Sequence, residues 1–283
     1  MREIKMIATD FDGTFFVHKP GISDKWREDN LAALADARSA GILVYPCTGR
    51  PWPQTSMLVR PYEFDNLCVV NNGASIVDMG SAATYYQKGL SREMTLALFD
   101  IISRHKLPAL ISSSRYIGYY LPEGNDGGDH LKGHRSMTET AKYPFHVFHS
   151  SDEMISVSGS DTDLLRVITH PEDISPSLRR ELDALKDIEI SWSWTFHMDI
   201  TAKGVNKGAA VAKLAEMNGI SLDSVMALGD AENDASMLKI AGIGVAMGDA
   251  SPKAKEAADY ISDLAENSGF AKAVRRFALR EEA

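Results

Sequence analysis

Cysteine is scarce in this chain. Its 283 residues include two, Cys47 and Cys68, too few for a disulfide framework or a cysteine-rich zinc site. No uninterrupted apolar run reaches the roughly 20 residues that a membrane helix needs. The start, MREIKMIATDFDGT, has acidic residues soon after a short apolar run. It shows neither the apolar region nor the small-residue cleavage pattern of a signal peptide. The expectation is a cytoplasmic protein with no membrane partner. Basic charge is also short, with 30 Lys plus Arg against 39 Asp plus Glu and a net charge of −9. A nucleic-acid binder ordinarily needs a basic surface to displace counterions, so no nucleic-acid partner is expected. Internal repeats and low-complexity tracts are absent. So is a Gly-rich loop ending in Gly-Lys-Ser/Thr, which sets aside an ordinary P-loop nucleotide hydrolase.

What is present suits a folded protein with a sizeable core. Hydrophobic residues make up 44% and charged residues 24%, and the length fits about two domains. In the first third, Ile4 to Thr9, Ile42 to Cys47 and Leu67 to Val70 read as buried strands. A helix from Asp24 to Ala40 separates the first two, with Ser23 as N-cap and Gly41 as its stop. Asn71-Asn72-Gly73 reads as a tight turn and Ser75 to Asp78 as the return strand. The last third repeats this grammar. Helices at 206–218, 234–241, 252–258 (capped by Ser251) and 270–279 alternate with strands at 225–228, 243–246 and 260–262. This alternation predicts an α/β fold with a doubly wound, Rossmann-like parallel sheet. The middle mixes helices and strands and contains a Gly-rich loop at 124–129. It reads as an inserted α+β unit. The expected division is a discontinuous core of 1–83 and 196–283 interrupted by an insert of 84–195.

The strand exits carry the chemistry. Asp10-x-Asp12-Gly13-Thr14 follows the first strand. Residues two apart on extended chain point to one side, so two carboxylates converge at the strand's carboxyl end, where doubly wound sheets bind ligands. Gly13 lets the chain turn sharply away. One carboxylate can attack while the other moves protons. Gly229-Asp230-x-x-Asn233-Asp234 leaves another strand. Its carboxylates are hard oxygen ligands suited to Mg²⁺, although alone Asp230 or Asn233 could simply cap the next helix. Thr48-Gly49-Arg50 offers a hydroxyl and turn N–H groups to a phosphate oxygen. Lys207 opens a helix against its dipole, which points to an anionic partner. Together these groups meet the needs of phosphoryl transfer: a nucleophile, an acid/base, a metal carboxylate, a hydroxyl and a cation.

DFDGT at 10–14, CTGR at 47–50, NNGA at 71–74, GVNKG at 204–208 and GDAENDASML at 229–238 occur in an order that resembles the haloacid dehalogenase (HAD) superfamily. The last of these and the following GVAMGDASPKAKEAADYIS resemble its Cof-type phosphatases. The likeness covers both ends of the chain, and the middle only by length and position. It implies Mg²⁺-dependent hydrolysis of small phosphate monoesters, sugar phosphates foremost, through an aspartyl-phosphate. Asp10 matches the nucleophile and Asp12 the general acid and base. Mg²⁺ would be held by the Asp10 carboxylate, the Asp12 backbone carbonyl and the Asp230 carboxylate, with Asp234 supporting them or binding through water. Thr48, Gly49, Lys207 and Asn233 would hold the phosphate, and Asn72 lies near the site mouth in such folds. The insert would be a large α/β cap that closes over the site and selects the leaving group. Two alternatives stay open: a phosphotransferase or phosphomutase using the same aspartyl-phosphate, and a non-catalytic sugar-phosphate-binding regulator. The second is expected to lose Asp10, Asp12 or Asp230, and all three are present. The partner expected is a small phosphate ester, and the chain a monomer or small homo-oligomer.

Other residues draw weaker readings. Asp126, Asp129 and His130 are candidates for substrate contact, each competing with a solvated loop. His146 and His149 read as structural, and Trp192 and Trp194 as packing or hinge residues. Two positions depart from the family pattern. Phe15-Phe16 replaces a Leu-rich pair, read as a packing change, and Asp249 stands where Asn is usual.

Overall fold

A computed structural model describes residues 3–19, 21–158, 164–169, 175–194 and 197–281. Its central sheet has five parallel strands in the order Tyr260–Ile261, Ile243–Ala246, Val225–Gly229, Met6–Thr9 and Leu43–Pro46. All of them but the edge strand Tyr260–Ile261 are almost wholly buried. That is why they read as continuous apolar runs rather than alternating ones. Alternation persists in which face each side chain serves. Ile7, Val44 and Leu228 join Leu34 and Phe270 in one core, whereas Met6, Ala8, Tyr45 and Ala227 join Val211 and Leu214 in the other. Helix Lys25–Ser39 thus covers one face and helix Lys207–Met217 the opposite one. This is the doubly wound α/β arrangement expected from the alternation. The register Thr9 with Leu228 puts Asp10 and Gly229-Asp230 side by side at the carboxyl edge.

A single parallel bridge, Cys47 to Val69, joins this sheet to a smaller antiparallel one of Leu67–Val70, Ser75–Asp78 and Thr84–Gln87. The inserted unit is a six-stranded sheet in the order Ile188–Trp194, His197–Ala202, Leu164–Thr169, Ala109–Ser113, Ile117–Tyr120 and Phe145–Phe148. Its pairs are antiparallel except the last, which is parallel. Helices Arg92–Arg104, Ser151–Ser158 and Pro176–Ala184 accompany it, and Phe99, Met154 and Leu182 share its core. Helix Gly128–Thr140 lies toward the central sheet's carboxyl edge. Strand pairing moves the expected boundaries at 83/84 and 195/196. Thr84–Gln87 pairs on the core side, and His197–Ala202 pairs within the six-stranded sheet. We therefore propose crossings after Gln87 and after Ala202. Hydrogen bonds to strands distant in sequence decide both, and neither segment announces its partner locally.

Other differences have local causes. Ser251 accepts the Ala254 N–H as a cap should, but Asp24, not Ser23, occupies the cap position of Lys25–Ser39, and its side chain makes no cap bond. The expected helix at 270–279 is a short α-helix, Gly269–Ala273, that widens into a π-helical segment, Val274–Leu279. Helix Trp52–Val59 is not among the elements expected from the sequence. Pro53 falls in the first turn, where a missing N–H costs nothing. Among the described residues no helix is long and apolar enough to cross a membrane.

Phe15 accounts for the first departure from the family pattern. Its ring lies 5.2, 4.8 and 5.0 Å from those of Tyr62, Phe64 and Phe270 in edge-on contacts. These pin the far end of the Asp10 loop to the core. Phe15→Ala is expected to destabilise the fold by about 3–5 kcal/mol with an unchanged m-value, measured by urea unfolding at neutral pH.

Candidate active site

Four chain segments meet at the carboxyl edge of the central sheet. Asp10 follows Met6–Thr9 directly, and its N–H is tied to the Leu228 carbonyl. The next turn needs glycine. Gly13 has φ +87°, and a Cβ there would come within 2.7 Å of Asp230 Oδ2. Thr14 donates its hydroxyl to Asp230 Oδ1 at 3.0 Å, locking the two loops together. Asp234 is fixed on both oxygens. Oδ2 accepts the N–H groups of Asp230 and Ala231 at 3.0 and 2.9 Å, and Oδ1 accepts Lys207 Nζ at 2.5 Å. Lys207 enters from the first turn of its helix, whose N-cap Asn206 accepts the Ala209 N–H. Its ammonium also lies 2.5 Å from Asp10 Oδ1.

Charge controls this cluster. Lys207 is 1% exposed and Asp234 fully buried. Burial opposes the lysine's charge, but Asp10 and Asp234 outweigh it and push Lys207 well up, so it stays an ammonium. Burial pushes the Asp10 carboxyl up. Lys207 pulls it down, while Asp234 and Asp230 add to the rise. Asp230 is pushed up to about 7, by burial and then by Asp234. A carboxylate that must react as an anion here therefore depends on nearby positive charge. Asp10, Asp230 and Asp234 each offer an oxygen within 4.8 Å of the others. An all-carboxylate donor set of this kind fits a hard divalent cation.

Asp12 has different partners. Its carboxylate takes the Arg50 fork, Nε at 2.7 Å and Nη2 at 3.0 Å, and His18 Nε2 at 2.5 Å. Burial raises its pKa, but these hydrogen bonds overcome that and hold it down at about 2. Thr48 is buried and its hydroxyl accepts the Arg50 N–H at 3.1 Å. Asn233 Nδ2 donates to Asn72 Oδ1 at 2.9 Å, and Asn233 Oδ1 and Asn72 Nδ2 are buried with no hydrogen-bond partner among the described residues. Asp10, Asp12, Thr48, Gly49 and Asn233 line one cavity of about 600 Å³.

Lys207, Asp230 and Asp234 stand behind and beside that floor. The eight residues singled out by sequence thus come together. Of the weaker candidates, His130 lines the cavity, whereas Asp126 caps the Gly128 N–H and Asp129 pairs with Lys132 in solvent. His146 packs on Tyr116 and Phe148. Trp192 packs on the six-stranded sheet's core, and the Trp194 side chain lies outside the described residues. Asp249 lines a second opening beside Asp230, whose pKa it raises.

Sequence reasoning assigned no role to Arg50, His18, Gln54, His134, Arg166 or His197. Arg50 stood inside a noted motif. The others arrive from elements whose packing no local signal reveals. Cys47, next to Thr48, holds an inert thiol that burial pushes up to about 12.

The Arg50–Asp12 pair makes a pH-dependent contribution. A carboxyl held below its ordinary value stabilises the fold above the unfolded value near 4, and that contribution is lost as pH falls through about 2. Arg50→Met is expected to cost about 1–2 kcal/mol near neutral pH and progressively less from about pH 4 downward, followed by urea unfolding across pH.

The model of the haloacid dehalogenase-like hydrolases matches residues 7–274. The chain is 29% identical over 277 residues to 5-amino-6-(5-phospho-D-ribitylamino)uracil phosphatase YcsE of Bacillus subtilis (strain 168), covering 98% of this chain and 97% of that one. It is 25% identical over 260 residues to pyridoxal phosphate phosphatase YbhA of Escherichia coli (strain K12), covering 91% and 92%. Among solved structures, a haloacid dehalogenase-like hydrolase from B. subtilis superposes with a TM-score of 0.81 at 23% identity, over 97% of this chain and 100% of that one. With carboxylates, a buried lysine and a cavity of about 600 Å³ gathered at the carboxyl edge of the sheet, the chain belongs to the haloacid dehalogenase-like hydrolases and is a phosphatase, a phosphoric monoester hydrolase of small phosphate substrates.

Proposed function

We propose that this phosphatase is Mg²⁺-dependent and acts on sugar-type phosphate monoesters through an aspartyl-phosphate on Asp10. The observation that carries the reading is the Lys207 ammonium, 2.5 Å from Asp10 Oδ1 and buried at the cavity floor. It leaves the second Asp10 oxygen to attack while neutralising part of the charge that a phosphate dianion brings. The relative YcsE has a substrate whose phosphate sits on a ribityl chain, which supports a sugar or polyol leaving group.

Asp10 forms the new bond to phosphorus as the bond to the leaving oxygen breaks. Asp12 delivers a proton to that oxygen and later takes one from the attacking water. The Arg50 fork competes with the proton for Asp12. Delivery therefore requires Arg50 to shift toward the substrate phosphate, whose oxygens offer it an equivalent bidentate partner. Thr48, the Gly49 N–H, Asn233 and Lys207 hold the phosphoryl oxygens. The Asp10 and Asp230 carboxylates and the Asp12 carbonyl would hold Mg²⁺, which supplies charge neutralisation when bound. Asp234, with both oxygens committed, acts as the brace for Lys207 and the Asp230 loop. The protein would do this in the cytoplasm, as a monomer or small homo-oligomer.

Phosphate release from a sugar-phosphate panel tests the reading. Asp10→Asn is expected to lower kcat by about 10³-fold or more. Chelation should abolish wild-type turnover, and added Mg²⁺ should restore it. Undiminished turnover by Asp10→Asn overturns the mechanism.

A further inference from the structure

The cavity has two unlike walls. The floor is the acidic phosphate site. The wall from the inserted unit carries, among the described residues, three imidazoles (His130, His134 and His197), the Arg166 guanidinium, a serine hydroxyl and the apolar Leu110 and Ile168. Among the described residues it carries neither a carboxylate nor a side-chain amide. His130 and His134 stand one turn apart on helix Gly128–Thr140, with ring centroids 6.5 Å apart, and His197 reaches within 5.5 Å of His130 from a strand.

Two of these groups are held in place by the core. Gln54 is 1% exposed, and its Nε2 lies 3.3 Å from His134 Nδ1. The contact ties the ring to the core, and Nε2 is the ring nitrogen it leaves for other partners. Arg166 is 4% exposed. Its Nε bonds Asp199 Oδ1 at 2.6 Å, with Nη2 on the same oxygen, and Nη1 donates to the Gly49 carbonyl. Asp199 sits behind the arginine, away from the cavity lining.

Neutral sugars present vicinal hydroxyls, which side-chain carboxylates and amides bind by accepting and donating together. This wall instead sets a guanidinium and three imidazoles, each with at least one ring N–H, against apolar surface. A group made of acceptors matches such N–H donors, and an ionised acceptor does so about twice as strongly.

Resting on the phosphatase reading above, we propose that the three-imidazole wall with Arg166 is a subsite for a second anionic group, a carboxylate or a phosphate, on the leaving portion of the substrate. The substrates are then phosphorylated sugar acids or bisphosphates rather than neutral sugar phosphates. Leu110 and Ile168 cover the carbon chain between the two charged ends.

Competition against hydrolysis of p-nitrophenyl phosphate tests this with matched probes. One pair, 6-phosphogluconate and sorbitol 6-phosphate, differs only in a terminal carboxylate against a hydroxymethyl group. The second, fructose 1,6-bisphosphate and fructose 6-phosphate, asks the same of a phosphate. At least one anionic probe is expected to compete about ten-fold more tightly than its neutral mate, the scale of a few charge-assisted hydrogen bonds. Which pair discriminates identifies the anion. In His134→Phe and His197→Phe, checked for folding by circular dichroism, that ratio is expected to fall at least three-fold. Equal competition within both pairs, or a ratio that both variants keep, overturns the subsite. Failure of wild type to hydrolyse p-nitrophenyl phosphate with Mg²⁺ present would instead strike the phosphatase reading, which the subsite needs.

Discussion

The structure turns on one ammonium group. Lys207 lies buried between Asp10 and Asp234, where strands from opposite ends of the chain finish together. Without it, carboxylates from two loops would face one another in a low dielectric, where unpaired charge costs several kcal/mol. With it, one positive charge still serves three nearby acids, and Asp10 and Asp230 remain shifted toward their protonated forms. The site is therefore built short of positive charge. That shortfall is what a divalent cation and a positioned arginine are suited to meet.

Rigid, close-packed loops keep the carboxylates that near. Gly13 admits the Asp230 carboxylate where any side chain would collide, and Gly229 does the same for Asp234, whose Cβ lies 2.4 Å from where a Cβ would stand. Behind the first loop, Phe11, Phe15 and Phe16 form a ladder of aromatic contacts with Tyr62. Electrostatic preorganisation at the front of the loop is thus anchored by apolar packing behind it. Asp12, by contrast, is bonded to Arg50 and His18 rather than to the buried lysine. The two members of the DxD motif have opposite environments and opposite pKa directions: Asp10 needs added positive charge to ionise, and Asp12 can take up a proton only when Arg50 releases it.

Legibility in the sequence followed the range of the forces involved. Buried strands declare themselves as short apolar runs, so Leu67–Val70 and Ser75–Asp78 fall where the residues alone put them. The strand exits follow, and with them Asp10, Thr48, Asp230 and Asp234. The pairings of Thr84–Gln87 and His197–Ala202 were not legible, because each depends on hydrogen bonds to strands distant in sequence. Helix Gly128–Thr140 was hidden by its own composition. It starts at a glycine-rich turn, carries Gly133 midway and buries little. His134 reaches the site on that helix, and Arg166 on Leu164–Thr169, whose place between His197–Ala202 and Ala109–Ser113 is set by long-range pairing. The residues proposed to meet the phosphate were named from the sequence, whereas of those proposed to meet the rest of the substrate only His130 was.

The account stands or falls on covalent chemistry at one side chain. Acid quenching during turnover, followed by peptide mass spectrometry, tests it directly. A phosphoryl group is expected on the peptide bearing Asp10, accumulating further in Asp12→Asn turning over p-nitrophenyl phosphate, whose leaving group needs no proton, because only the attack by water is then slowed. Turnover with that peptide unmodified, or a phosphoryl group on another residue, would contradict it.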